Sequence, residues 1–318
     1  MTLDESLEIN SKEVKTNIVT YIQSILKERD INGLVVLYRD CIESLINVKL
    51  AVSTVGRENI KLVVTHGRFS SSEPTRKKDL EIIGRFLDLP KENVIFTNLE
   101  QASNAINNLS FDKKKQRYGF TKPRGLPLFN YNLSYYLLRS LANSEIEEKK
   151  FFSPSSSPIS EREQFLQKLI AYHKSQIRLH VILAFLVAET ENKSFIGSIN
   201  KTERLLGLFT KFGTYHAADF LPLAGLYRSQ TIELGKFLGL GDYLDSKERK
   251  SPTSYNYLFK LSYKDVDRTL IRLEAGMKLQ EISNETDIPI SSLEKLHHYY
   301  QVSTYARSVP LIPDITKT

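Results

Sequence analysis

A chain of 318 residues with 41% apolar and 25% charged side chains has the composition of an ordinary globular protein with a sizeable core. No apolar run approaches the length of a membrane span, and the single Cys41 excludes an internal disulfide framework and any Cys/His cluster with zinc spacing. The net charge of +7 is largely local, because residues 111–125, FDKKKQRYGFTKPRG, hold six basic side chains against one Asp. That segment, with Phe and Tyr interleaved, has the chemistry to touch RNA, an anionic ligand or an acidic partner. A solvated basic insertion is the simpler reading, since charge runs usually serve solubility. The acidic, polar start MTLDESLEINSKEV has no leader pattern, so a reducing, cytoplasmic setting with no membrane partner is expected.

In residues 4–30, Val14, Ile18, Ile22, Ile25 and Leu26 recur at helical spacing and predict a leading amphipathic helix. Strand 33–37, helix 44–56, strand 60–65, helix 75–87 and strand 93–97 follow, and residues 98–107 supply the next helix. Strands that are continuously apolar and alternate with helices predict a doubly wound parallel sheet flanked by helices, an α/β fold. Residues 109–160 break this rhythm with the basic segment, an aromatic run, acidic EIEEKK and the Ser/Pro-rich SPSSSPIS. Ser160 and Glu163 form a capping-box pattern that opens a long helix over 161–188. Strand 194–198, helix 200–208, a Pro/Gly loop over 219–228 and helix 229–238 come next.

The tail, 262–318, is a helical C-terminal extension, so residues 1–318 read as one α/β domain carrying an insertion at 109–160. Within it, LQEISNETDIPISSLEKLHHYY has the cadence of a helix-turn-helix, with Ile282, Ile288, Leu293 and Leu296 as inner positions. Its second helix offers one Lys and no Arg to a phosphate backbone, so a packing unit is the stronger reading than a DNA reader.

Residues 33–51, GLVVLYRDCIESLINVKLA, resemble the opening strand and helix of a nucleotide-binding unit whose phosphate loop has been overwritten. Such a unit normally turns with small residues, because glycine lets backbone amides approach a phosphate and adopts φ > 0 freely. Here the turn holds Tyr38, Arg39, Asp40, Cys41, Ile42 and Glu43. An Asp40 carboxylate about 4 Å from a phosphate charge would cost roughly 4 kcal/mol at a surface-like dielectric.

The ordered stretch GSINKTERLLGLFTKFGTYHAADFLPLAGLYRSQTIELGKFLGL, residues 197–240, is similar to the NAD synthetase family of ammonia-dependent amide ligases with the ATP pyrophosphatase fold. That family reads Gly-Thr, an Asn-Lys-Ser-Glu-like turn, Phe-Thr-Lys-Tyr-Gly-Asp, Ala-Asp, Pro-(Ile/Leu) and Leu-(Tyr/Thr)-Lys-x-Gln. Leu261–Asp267 resembles its Leu-Ser-Tyr-Glu-Glu-Ile-Asp segment, and residues 33–51 align with its first strand, Ser-Gly-Gly-x-Asp-Ser loop and helix. The resemblance covers most of the chain outside 109–160. It implies activation of the nicotinate carboxylate of deamido-NAD by ATP, release of pyrophosphate and attack by ammonia. Backbone donors, divalent metal and a water-excluding lid serve that chemistry.

Carried over by the resemblance, Glu203 matches the metal-ligand Glu, and Glu43 stands for the loop Asp with one methylene more. Ser198 replaces the Thr of Gly-Thr, Lys211 matches the phosphate-side Lys with Thr210 before it, and Ser44 keeps the loop's last Ser. Arg178 matches a basic position of the long helix, Asp219 follows the Gly-rich turn, and Arg39 supplies a cation where the loop began. Each of these also reads as an ordinary polar residue on a helix or loop. Losses accompany them: the loop glycines become Asp40 and Cys41, and Gly-Asp-Gly-Gly becomes Gly213-Thr214-Tyr215-His216. The acidic lid before Leu-Ser-Tyr shrinks to SPTSYNYLFK, and Lys174, Gln176 and His180 replace the long helix's Asn, Lys and second Arg. Tyr305 and Ala306 replace the first two residues of the C-terminal His-Lys-Arg, while Arg307 survives.

The first expectation is a catalytically degenerate member that keeps the fold and a dimer surface, pairing with itself or with an active paralogue. The second is a divergent working synthetase that still uses ATP and Mg. The third is a nucleic-acid or assembly role resting on 111–125.

Overall fold

The computed structural model describes residues 3–66, 73–107, 161–248 and 254–308. The basic segment 111–125 and the insertion 109–160 lie outside the described residues. Four parallel strands form one sheet: β1 (Gly33–Tyr38), β2 (Ile60–His66), β3 (Val94–Asn98) and β4 (Lys193–Ile196), in the order β3-β2-β1-β4. The central strand is buried at every position. Its alternate side chains feed two cores, which is why it reads as an unbroken apolar run.

On one face Leu34, Val36 and Tyr38 join Ile60, Leu62, Val64 and Ile196. These pack against α1 (Ser11–Glu28), α2 (Ile42–Val55) and α3 (Glu73–Phe86), with α8 (Arg228–Phe237) and α9 (Gly241–Glu248) at the same layer. On the other face Val35, Leu37, Val63 and Phe195 meet Val181, Ala184 and Ala188 of α5 (Glu161–Thr190). The Phe185 ring stands edge-on to Phe195 with centroids 5.5 Å apart. The doubly wound parallel sheet expected from the periodicity is therefore present, with α4 (Glu100–Asn107) after β3.

Several boundaries differ from expectation, two of them at the ends of β1 and β4. The helix after β1 starts at Ile42 rather than 44, with Cys41 extended as its N-cap. Strand β4 stops at Ile196 rather than 198, because Gly197 leaves β1 to bond the Phe220 carbonyl at 2.9 Å. A Cβ at Gly197 would lie 2.6 Å from Leu221 and 2.7 Å from Ala218, so this departure requires glycine.

Beyond the sheet, short helices α6 (Lys201–Leu205) and α7 (Thr214–Ala217) precede α8 and α9. Helices α10 (Ser254–Phe259), α11 (Tyr263–Glu274), α12 (Leu279–Thr286) and α13 (Ile290–Arg307) then build a second core around Leu206, Phe259, Leu270 and Tyr299. The inner positions Ile282, Ile288, Leu293 and Leu296 are all buried in it, and Asp287 makes the left-handed turn between α12 and α13. The helix pair is thus held by packing. Asp4 clasps this unit from the chain start, accepting from Arg268 Nη2 at 2.9 Å and Arg272 Nη1 at 2.8 Å. Those two guanidinium groups lower its pKa to about 2.

Leu45, fully buried on α2 at the sheet face, is the sharpest test of this packing. Leu45→Ala should lower unfolding free energy by about 2–5 kcal/mol in urea titrations. The m-value should stay unchanged if unfolding is two-state.

Candidate functional site

In the strand order β3-β2-β1-β4 the sheet grows outward from β1 in both directions, so its topological switch point lies between β1 and β4. Open α/β sheets bind ligands in the crevice beyond the strand ends at this point. The loops that leave β1 and β4, with the first turns of α2 and α6, carry residues 39–43 and 197–203, so the fold brings the two halves of the expected site together. Asn47 on α2 spans the crevice, donating to the Gly197 carbonyl at 3.0 Å and to Ser198 Oγ at 3.1 Å.

The β1 loop is closed upon itself. The Cys41 N–H bonds the Arg39 carbonyl at 2.6 Å, and the Arg39 N–H donates to Ser44 Oγ at 3.3 Å. The Ser44 hydroxyl in turn lies against the carbonyls of Arg39 and Cys41, the latter at 3.0 Å. No residue from 38 to 44 has positive φ, so the conformation that glycine favours is not used. Asp40 turns away from the loop centre, accepting from Lys78 Nζ at 2.7 Å and Tyr243 Oη at 3.0 Å. Its expected repulsion of a phosphate is therefore replaced by a tether to α3 and α9.

Glu43 occupies the first turn of α2 and is 3% exposed. Arg228 Nη1 donates to its Oε1, and Asn200 Nδ2 donates to the same oxygen at 2.9 Å. Burial alone would favour the neutral acid, but Arg228, the Glu43 amide and Asn200 together hold Glu43 ionised below the usual carboxylate range. The opposite holds for Glu203. Part of its surface stays open, yet burial, followed by the Glu43 charge, raises its pKa to about 7. Its own bonds cap α6: Glu203 Oε2 accepts from the Asn200 N–H at 3.3 Å, and Asn200 Oδ1 accepts from the Glu203 N–H at 2.9 Å.

Arg228 is fixed from several sides. Its N–H donates to Thr202 Oγ1 at 2.8 Å, and that hydroxyl donates to the buried Asp267 at 2.5 Å. The Ser229 N–H reaches the other Asp267 oxygen at 2.7 Å, so Asp267 caps α8 from α11. Tyr255, buried on α10, lies within electrostatic reach of Glu203, Arg228, Asp267 and Glu43. Where the family pattern has an acidic lid, Tyr255, Leu258, Phe259 and Leu261 pack into the second core.

The other expected residues are spread along the rim. Arg178 Nε and Nη2 donate to the Lys211 carbonyl at 3.1 and 2.8 Å, fastening the loop that holds Thr210 and Lys211. The Lys211 ammonium stands 5.3 Å from the centre of the Phe212 ring. Asp219 accepts from the Phe195 N–H at 2.7 Å, so its carboxylate secures the edge of β4. His216 accepts from the Phe212 N–H at Nδ1, 3.3 Å, and its Nε2–H reaches the Ala306 carbonyl at 3.0 Å. The two roles agree with one neutral tautomer. Arg307 donates to the Leu205 carbonyl at 2.8 Å and ties α13 to the end of α6.

These residues do not fit a divalent cation. The Glu43 oxygen that faces Glu203's neighbour Asn200 is already shared with a guanidinium, and no trio of His, Cys, Asp or Glu suited to a metal exists among the described residues. Mg2+ takes one or two carboxylates and completes its shell with waters or phosphates, and here the shared Glu43 oxygen is held by Arg228 and Asn200.

Arg228, Asn200, Asn47, Asp267 and Tyr255 join the site beyond the residues expected from the sequence. Arg228 had a signal: it fills the Lys of the Leu-(Tyr/Thr)-Lys-x-Gln pattern. Its partner Glu43, 185 residues away, had none.

A doubly wound parallel sheet with polar residues gathered at its switch point defines an α/β protein of the nucleotide-binding type. The family model described as NAD synthase matches residues 138–310, just over half of the chain, and the chain belongs to that family. It is 25% identical over 313 residues to the NH(3)-dependent NAD(+) synthetase of Thermotoga neapolitana, covering 95% of this chain and 96% of that one. The corresponding Thermotoga maritima enzyme is 24% identical over 311 residues, covering 95% and 99%. An NH3-dependent NAD synthetase structure from Campylobacter jejuni superposes with a TM-score of 0.63 at 17% identity, over 96% of this chain and all 100% of that one. An NMN synthetase from Francisella tularensis gives 0.62 at 19% identity, with 96% and 100% covered. At those structural identities the likeness is one of fold.

The raised Glu203 pKa fixes the sign of a pH effect. The folded state holds a proton that an ordinary carboxyl, near 4.5, gives up, so this group's stabilising share is present at acid pH. It is lost as pH rises toward about 7. Urea titrations across that window should show stability falling relative to Glu203→Gln, whose profile lacks this slope. Parallel profiles would contradict the assignment.

Proposed function

We propose that this chain is an NAD synthetase-like protein that keeps the family fold and has lost the ATP-pyrophosphate step, acting as a partner or regulatory subunit. The observation that carries this reading is the closed β1 loop. A phosphate needs converging N–H donors at a helix start. In this loop the amides of Arg39 and Cys41 are spent internally, and two carbonyls converge on Ser44 instead. The tight packing of Tyr255 and Phe259 where the family pattern has its lid supports the same conclusion.

A retained association surface is the second half of the proposal. Ile182 and Leu186, one turn apart on α5, are 64% and 59% exposed, which is costly for a helix that meets water alone. Self-association, or pairing with an active paralogue, would cover them.

Titration calorimetry with Mg·ATP and a pyrophosphate-release assay with ammonia test the reading, using deamido-NAD and nicotinate mononucleotide as acceptors. No release above the protein-free background is expected. Turnover that disappears in Glu203→Ala would overturn the degenerate assignment.

A further inference from the structure

We propose that Arg228 is a built-in substitute for a divalent cation: its guanidinium, held at the start of α8, neutralises Glu43 beside Glu203 and closes the switch point to metal. The inference rests on reading this crevice as the remnant of a metal-dependent site, and it identifies what fills the place of the ion.

Two carboxylates, Glu43 from the β1 side and Glu203 from the β4 side, face one crevice whose halves are joined by Asn200. Carboxylates brought together out of water need a counter-charge. Here it comes from the chain, since Arg228 donates directly to Glu43 and its side chain is 21% exposed against 4% for Glu43. An arginine cannot relieve crowding by losing its proton. A divalent ion entering beside it would meet a fixed like charge as well as an oxygen already taken by two donors.

Geometry fixes the backbone from which the guanidinium reaches Glu43. Arg228 starts a helix that is pinned by Thr202 and by Asp267, and Asp267 is itself fully buried. The guanidinium is therefore delivered to Glu43 by the joint packing of α6, α8 and α11. A surface arginine free to swing aside would not have this effect. Glu43 for its part sits in the first turn of α2, where the helix end favours negative charge. Anion, cation and helix start are thus matched without a ligand.

The test uses the full chain and two probes, Mn2+ followed by electron paramagnetic resonance and Mg2+ followed by thermal unfolding at constant ionic strength. Wild type should leave the Mn2+ spectrum that of the free ion and show no Mg2+-dependent change in Tm. Arg228→Met should bind Mn2+ at least about tenfold more tightly than wild type and gain a Mg2+-dependent rise in Tm. Adding Glu203→Gln to that variant should abolish both. If Arg228→Met does not fold, Arg228→Gln, which keeps a donor for Glu43, carries the same comparison. Mn2+ bound by wild type and lost in Glu203→Gln would overturn the inference, and so would a folded Arg228 variant blind to both ions. These outcomes are separable from the proposed loss of ATP chemistry. Metal binding without pyrophosphate release defeats only the role of Arg228, whereas release from wild type that binds no free Mn2+ defeats only the degenerate reading.

Discussion

A carboxylate taken out of water at the start of a helix must be paired, and the pairing of Glu43 with Arg228 is the interaction on which the crevice depends. Breaking a buried pair by deleting one member typically costs about 3–5 kcal/mol, because the survivor keeps its charge and loses its partner. Around this pair the chain arranges Asn200 between the two carboxylates, Thr202 and Asp267 behind the arginine, and Tyr255 alongside. Elements separated by more than a hundred residues thereby share one charge balance. A substitution at any one of them alters the others' environment, so their effects on stability will not add.

Fold and site rest on different physics and tolerate substitution differently. The sheet needs only apolar side chains of about the right size on both faces of β1 and β2, and many sequences satisfy that. A phosphate loop needs amides at particular points and a backbone free to place them there. Asp40 and Cys41 can therefore stand in the turn while Leu34 to Leu37 remain buried in the strand before it. That the chain remains recognisable over nearly all its length, yet carries a self-bonded turn at the strand end, follows from this difference in tolerance.

Much of the architecture was legible in the sequence. Strand β1 declared itself as a continuous apolar run because both faces are covered, and Ile282, Ile288, Leu293 and Leu296 declared the last helix pair by their spacing. Periodicity is a local signal, and these features are local. What it could not provide was the partner of each polar residue. Asp219 stood out beside a turn but serves the backbone of Phe195, and Arg178 stood out on a helix but holds the Lys211 carbonyl. Asn47 looked like one more residue of α2, although it crosses to Gly197 and Ser198, 150 and 151 residues away. The end of β4 was misjudged for a related reason: Gly197 departs to meet a segment that follows it by more than twenty residues.

The clasp at the chain start has a consequence for biogenesis. Asp4 is made more than 260 residues before its partners Arg268 and Arg272. Domains fold from the N-terminus forward as they leave the ribosome, at about 5–20 residues per second. The segment that carries Asp4 must therefore wait while the intervening residues are made before it can dock. Closure of the clasp therefore reports that α11 has been made, and a nascent chain stalled before α11 would leave Asp4 without these partners.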